Sequence, residues 1–204
     1  MIPGLESVTV GVGHLDTALA EFRRIKGMRI ESDTRASVSL LSAWRYPVHA
    51  DVRLVELSCG GTPFGRVRLA QYEADVGVPL RDFQPESALE RAADAEASRR
   101  FYRDCLGLTC TPEEGLAEEF REPVRRLAGG ADGVPRRMAP GRLGINLFSL
   151  PCEDLDALEG QLRALDVEIR TRPTHVALGN GTPARIMLMR GPSQELLELI
   201  ERGE

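Results

Sequence analysis

The sequence predicts an α+β fold made of repeated β-α-β-β-β units, and three observations carry that prediction. The stretch "DAEASRRFYRDCLGL" at residues 94–108 reads as an acid-capped helix with a two-aromatic face that stops at Leu-Gly. "DTALAEFRRIKGM" at residues 16–28 is a weaker echo of it. One strand-like segment precedes the echo and three follow it, and the same order returns from residue 142 onward. Repetition of a supersecondary unit signals architecture, because each unit has an apolar face that a neighbour must cover.

The first unit takes residues 1–75. "SVTVGVG" alternates Val8, Val10 and Val12 with small or polar residues, the period of a strand with one buried face. A helix then begins near Asp16, a plausible N-cap. Leu19, Phe22 and Ile25 recur on one side of it, and Gly27 supplies a left-handed stop. "MRIES", "DVRLVELS" and "GRVRLAQYE" read as three further strands, the last two joined by the turn-rich "CGGTPF".

The remainder, residues 76–204, opens with a linker-like stretch that carries two prolines and no sustained period. A reduced unit is expected over 86–140. Its helix is capped by Asp94, places Ser98, Phe101, Tyr102 and Cys105 on one face, and closes at Gly107. The segment before that helix is a poor strand by propensity, and the one after it holds a helical piece interrupted by Pro123.

A closing unit follows over 142–201. "RLGINLFSL" reads as a strand, and Leu155, Leu158, Leu162 and Leu165 line one side of a helix. "VEIRTR", "ARIMLMR" and "ELLELIE" are then strands, with a turn at "LGNGTP".

Composition narrows the function. A chain of 204 residues, 42% hydrophobic, can bury an ordinary core. It has no run of about 18 apolar residues, and "MIPGLESVTV" lacks the regions of a signal peptide, so a cytoplasmic protein with no membrane span is the expectation. Net charge is -5 with interspersed signs and no basic block, which argues against a nucleic-acid partner. Lys26 is the single lysine among 26 basic residues, a bias that reads as coding composition and not as guanidinium chemistry. Cys59, Cys105, Cys110 and Cys152 form no CxxC pair and are expected as buried thiols.

The capped Phe-Tyr/Leu-Gly helix and the C-terminal series "EDLDALEGQLRALDVEIRTRP...ARIMLMRGPSQELLELIE" resemble the vicinal oxygen chelate superfamily of glyoxalases, bleomycin-resistance proteins and extradiol dioxygenases. The resemblance implies a sheet curled into a half-open barrel, helices on its outer face and a small molecule in its hollow. Metal enzymes of that family use a His, Gln or Glu near the start of a unit's first strand and a Glu near the end of its last. Here the first-strand positions fall on Ser7, Ser87 and the region of Asn146, and the last-strand position of the first unit falls near Arg68. Only Glu198 matches. One carboxylate among serines and an arginine does not make a ligand set, so no metal and no other cofactor are expected.

Strand alternation sorts the candidate wall. Val67 and Leu69 should face the helix, which places Arg66, Arg68, Ala70 and Tyr72 on the concave side. Val52, Leu54, Glu56 and Ser58 form one set of their strand and Arg53, Val55 and Leu57 the other, with the inward set left open. Leu196, Glu198 and Ile200 go together, and the resemblance assigns them inward. His14 and His49 read as solvated or capping residues.

The resulting expectation is a metal-independent isomerase, lyase or cyclase acting on a small, mostly apolar metabolite. Glu198 would be its acid or base, with Arg68 or His175 steadying negative charge. Glu56, Tyr72, Trp44, Ser7, Asn146 and Met187 would contact the substrate. The alternatives are a non-catalytic drug- or metabolite-binding protein, and a metal-dependent enzyme assembled from Glu198 with Glu56, His175 or His49. A homodimer is expected, since unpaired sheet edges invite a partner.

Overall fold

The structure, a computed structural model, describes residues 5–23, 28–59, 65–72, 96, 100–108, 139–141, 144–178, 181–192 and 194–203. In the first half, β1 (Ser7–Val12) leads to α1 (Leu15–Arg23), β2 (Met28–Arg35), the short α2 (Val38–Ala43), β3 (Val52–Cys59) and β4 (Arg66–Tyr72). In the second, β5 (Gly144–Pro151) leads to α3 (Leu155–Ala164), β6 (Ile169–Ala177), β7 (Pro183–Arg190) and β8 (Leu196–Arg202). Among the described residues no helix is long and apolar enough to cross a membrane.

The strands make one eight-stranded sheet in the order β2-β3-β4-β1-β5-β8-β7-β6. In each half the first strand lies parallel to the last, β1 beside β4 and β5 beside β8, and the strands after the helix form an antiparallel meander. The two halves join where β1 runs antiparallel to β5. Among the described residues β2 and β6 each pair on one side only, so the sheet is not closed.

Three apolar clusters explain the curvature. Leu15 and Leu19 of α1 pack on Val10, Val12, Val55, Leu57 and Leu69. On the same face of the other half, Leu155, Leu158 and Leu162 of α3 pack on Leu150, Met187, Met189, Leu197 and Leu199. The opposite face carries α2, whose Leu40, Leu41 and Ala43, together with Trp44, join Val52 and Leu54 of β3 to Val176 of β6 and Ile186 of β7. Strands from opposite ends of the order meet in that one cluster, so the sheet curls around α2. This is the α+β curled, open sheet with α1 and α3 outside. The short α2 lies within the curl, between two segments read from the sequence as strands.

Local chemistry explains why α2 forms. Ser37 caps it, its side chain accepting from the Leu40 N–H at 3.1 Å. The far end closes by bonds from Arg45 N–H to the Ser42 carbonyl (3.0 Å) and from Tyr46 N–H to the Leu41 carbonyl (2.9 Å), with Arg45 at φ 55. That is a Schellman arrangement with arginine where glycine is usual. Three side chains then tie α2 to β6. Ser37 Oγ donates to the Ala177 carbonyl at 2.7 Å, Ser39 Oγ accepts from the Ala177 N–H at 3.1 Å, and Thr171 Oγ1 donates to the Ala43 carbonyl at 2.8 Å.

Other departures have local causes. Of the helix expected from Asp94, residues 96 and 100 are helical and Phe101–Cys105 forms a π-helical turn, which Gly107 at φ 67 ends as its position predicted. β6 runs on through Pro173 to Ala177; as an edge strand it has a side on which a missing N–H costs no ladder bond. Cys59, expected to be buried, is exposed at the end of β3, and Cys105 and Cys152 are half-buried. Ile25, Gly27, Ser87, Asp94, Cys110 and most of the expected reduced unit 86–140 lie outside the described residues.

Candidate functional site

Two rows of side chains cross the concave face where the halves meet. In one, Glu56 of β3 is in register with Arg68 of β4, and Arg68 with Thr9 of β1. In the other, Ser7 of β1 is in register with Ser149 of β5, and Ser149 with Glu198 of β8. The sheet thereby brings polar residues from five strands together beneath Trp44. Alternation accounts for the facing: Val8, Val10 and Val12 pack toward α1, which turns Ser7 and Thr9 to the other side.

Glu198 has no solvent exposure and accepts three hydrogen bonds. Trp44 Nε1 donates to Oε1 at 2.7 Å; Ser149 Oγ and Arg68 Nη1 donate to Oε2 at 2.8 and 3.3 Å. Arg68 also reaches Glu56, its Nε and Nη2 lying 3.1 and 3.0 Å from Oε1. Burial works against the Arg68 charge, but the two carboxylates more than offset it and hold its pKa above the usual arginine value. Glu56 is the exposed end of the relay, with about a quarter of its side chain accessible, against 3% for Arg68.

A second polar pair borders the first. Tyr72 Oη donates to Asn146 Oδ1 at 2.6 Å, and the Tyr72 ring lies 5.1 Å from that of Tyr46. Burial raises the Tyr72 phenol above its ordinary pKa, with a backbone hydrogen bond from Gly141 pulling the other way. Gly141 is held at φ 84, and a side chain there would run into the Tyr46 ring, 2.5 Å from an added Cβ. The remaining lining is apolar: Leu54, Ala70, Leu147, Ile186, Leu188, Leu196 and Ile200.

The structure therefore gathers Glu198, Arg68, Glu56, Trp44, Tyr72, Asn146 and Ser7 on one face. Glu56 falls in the inward set with Val52 and Leu54. Two further candidates lie elsewhere. Met187 sits between the inward Ile186 and Leu188, so it points the other way and packs beneath α3. His175 is exposed on β6, in register with Arg185, and is not part of the buried group.

Ser149 and Thr9 were missed by the sequence reading. Alternation within "NLFSL" and "SVTV" was the signal that could have found them. Ser7 Oγ and Thr9 Oγ1 are buried without a hydrogen-bond partner among the described residues.

Comparison with known proteins gives a consistent result. The family model described as Glyoxalase/Bleomycin resistance protein/Dioxygenase superfamily matches residues 88–199. That stretch takes in β5 to β7, α3 and part of β8, and leaves β1–β4 outside the match. Among solved structures, methylmalonyl-CoA epimerase from Mycobacterium tuberculosis is similar at 15% identity and TM-score 0.50, covering 100% of this chain and 90% of its own. A selenomethionine methylmalonyl-CoA epimerase is similar at 13% identity and TM-score 0.51, covering 100% of this chain and 98% of its own. At such identities the likeness is one of fold. No curated protein matches the sequence.

Proposed function

The chain belongs to the Glyoxalase/Bleomycin resistance protein/Dioxygenase superfamily, and from that premise we propose that it takes a small, mostly apolar metabolite on its concave face and acts on it by acid–base chemistry without a metal ion, as an isomerase or lyase. The observation that carries this reading is the pairing of a fully buried Glu198 with Arg68 in a small polar group bordered by apolar side chains. Few polar anchors on a mostly apolar face are what small-molecule sites present, and a ligand would reach Glu198 by displacing Trp44.

The donor set does not fit a divalent cation. A guanidinium lies against Glu198 Oε2 and between the two nearest carboxylates, so a dication at Glu198 would meet a fixed positive charge. The other groups on Glu198 are an indole N–H and a hydroxyl, neither of which supplies the imidazole or carboxylate that such an ion prefers.

Acid–base chemistry uses the same contacts differently. Oε1 accepts only from Trp44 among the described residues, so a substrate that displaces the indole frees the oxygen that takes a proton from carbon. Arg68 then steadies the negative charge left on the substrate, and return of the proton from Glu198 completes an isomerisation. The unpartnered hydroxyls of Ser7 and Thr9 supply donors for a polar group of the substrate. The two edge strands, β2 and β6, suit a homodimer that would cover one of them.

One observation favours a second reading, binding without turnover. Trp44 and α2 fill the curl, and both Glu198 oxygens are engaged. Glu198→Gln separates the two readings: turnover of an identified ligand falls by at least about a hundredfold with affinity kept if Glu198 transfers the proton. A variant that turns over as fast as the wild type removes Glu198 from the mechanism.

A further inference from the structure

A cleft lies at the β6 edge of the sheet, where the C-terminal ends of α2 and α3 approach that strand. We propose that it is a binding site for a small anion of the phosphate or polyphosphate class that carries an apolar body. It is an open cleft of about 480 Å³, and Arg45, Arg163, Arg170 and Arg172 line it over a floor of Val167 and Ile169.

Charge balance is the first argument. Of the four arginines, Arg163 and Arg172 share one carboxylate, Glu159, whose Oε1 accepts from Arg163 Nη2 and Arg172 Nε at 2.8 Å. Arg45 and Arg170 have no carboxylate within ion-pair distance among the described residues. Elsewhere on the same protein, Arg53, Arg68 and Arg185 each meet a carboxylate. Four guanidinium groups thus line one cleft of a chain whose net charge is -5.

The backbone supplies the second argument. Arg45 stands at φ 55, in the left-handed C-terminal position of α2 where glycine is unstrained. A side chain is strained there, and the turn sends Trp44 into the core while Arg45 lines the cleft. Guanidinium forks match phosphate oxygens two at a time, and several forks around one recess select a multiply charged anion over a single carboxylate. Val167 and Ile169 give the rest of the ligand an apolar surface.

This site does not depend on the reading of Glu198. Calorimetric titration of the full chain with pyrophosphate, at matched ionic strength in sodium chloride, tests it. Saturable one-site binding is expected, weakened about tenfold or more by Arg45→Gln and by Arg170→Gln, the loss of one charge-assisted contact. Affinity should be unchanged in Arg53→Gln, remote on β3, and in Glu198→Gln. Should Arg45→Gln fold poorly, Arg45→Gly suits the backbone and removes the same charge. Absence of saturable binding, or equal weakening by Arg53→Gln, overturns the proposal.

Discussion

Arg68 Nη1 lies 3.3 Å from Glu198 Oε2, and the two side chains are 3% and 0% exposed. Such a pair gains little over apolar residues of the same volume, but breaking it leaves a charge buried without its counterion. Arg68→Met is therefore expected to destabilise the fold by about 3–5 kcal/mol. Arg68→Met combined with Glu198→Leu should cost much less than the two single substitutions together. Urea denaturation of the four proteins measures the coupling. Additive losses would show that the pair does not act as a unit.

Trp44 is the single tryptophan, and its indole N–H donates to Glu198 at 2.7 Å. Trp44→Phe keeps an aromatic ring in the cluster and removes that donor, with an expected loss of about 1.5–3 kcal/mol. In the wild type, the native emission should be that of a buried indole and move to longer wavelength on unfolding. Native emission typical of water would place Trp44 outside the core.

Tyr72 gives a pH signature. Its phenol titrates higher in the folded protein than in the unfolded chain because burial disfavours the phenolate. The folded state therefore holds a proton that the unfolded state releases above about pH 10, and stability falls as pH rises beyond that point. Tyr72→Phe should flatten this alkaline loss by up to about 1.4 kcal/mol per pH unit. Thermal melts across the alkaline range compare the slopes; identical slopes would mean that Tyr72 ionises as freely folded as unfolded.

Much of this architecture was legible because strand alternation and helix periodicity are local. Val67 and Leu69 pack toward α1 while Arg68, Ala70 and Tyr72 turn inward, as a period of two requires. Leu155, Leu158 and Leu162 form the buried stripe of α3. What alternation did not reveal is long-range pairing. Glu198 and Arg68 are 130 residues apart, and nothing local to either shows that β1 and β5 join the halves and bring them into contact.

The helix α2 was missed for another reason. Six residues are too few for a period to declare itself, and its stability comes from Ser37, Ser39 and Thr171 binding across to and from β6. Its Ser37 cap was readable, but Trp44 meeting Glu198 was not. The strand read at "VEIRTR" likewise stops short of the observed Ala177, because tolerance of Pro173 depends on an edge position that only the strand order reveals.

The proposed small-molecule site at Glu198 works without a cation. A thermal-shift screen of small metabolites, run with and without a chelator, tests it most directly. At least one compound should raise the melting temperature equally under both conditions, and lose that effect in Arg68→Met at a pH and temperature where the variant remains folded. Stabilisation that disappears with chelation, together with one divalent ion per chain bound through Glu198, would mean that Glu198 is a metal ligand.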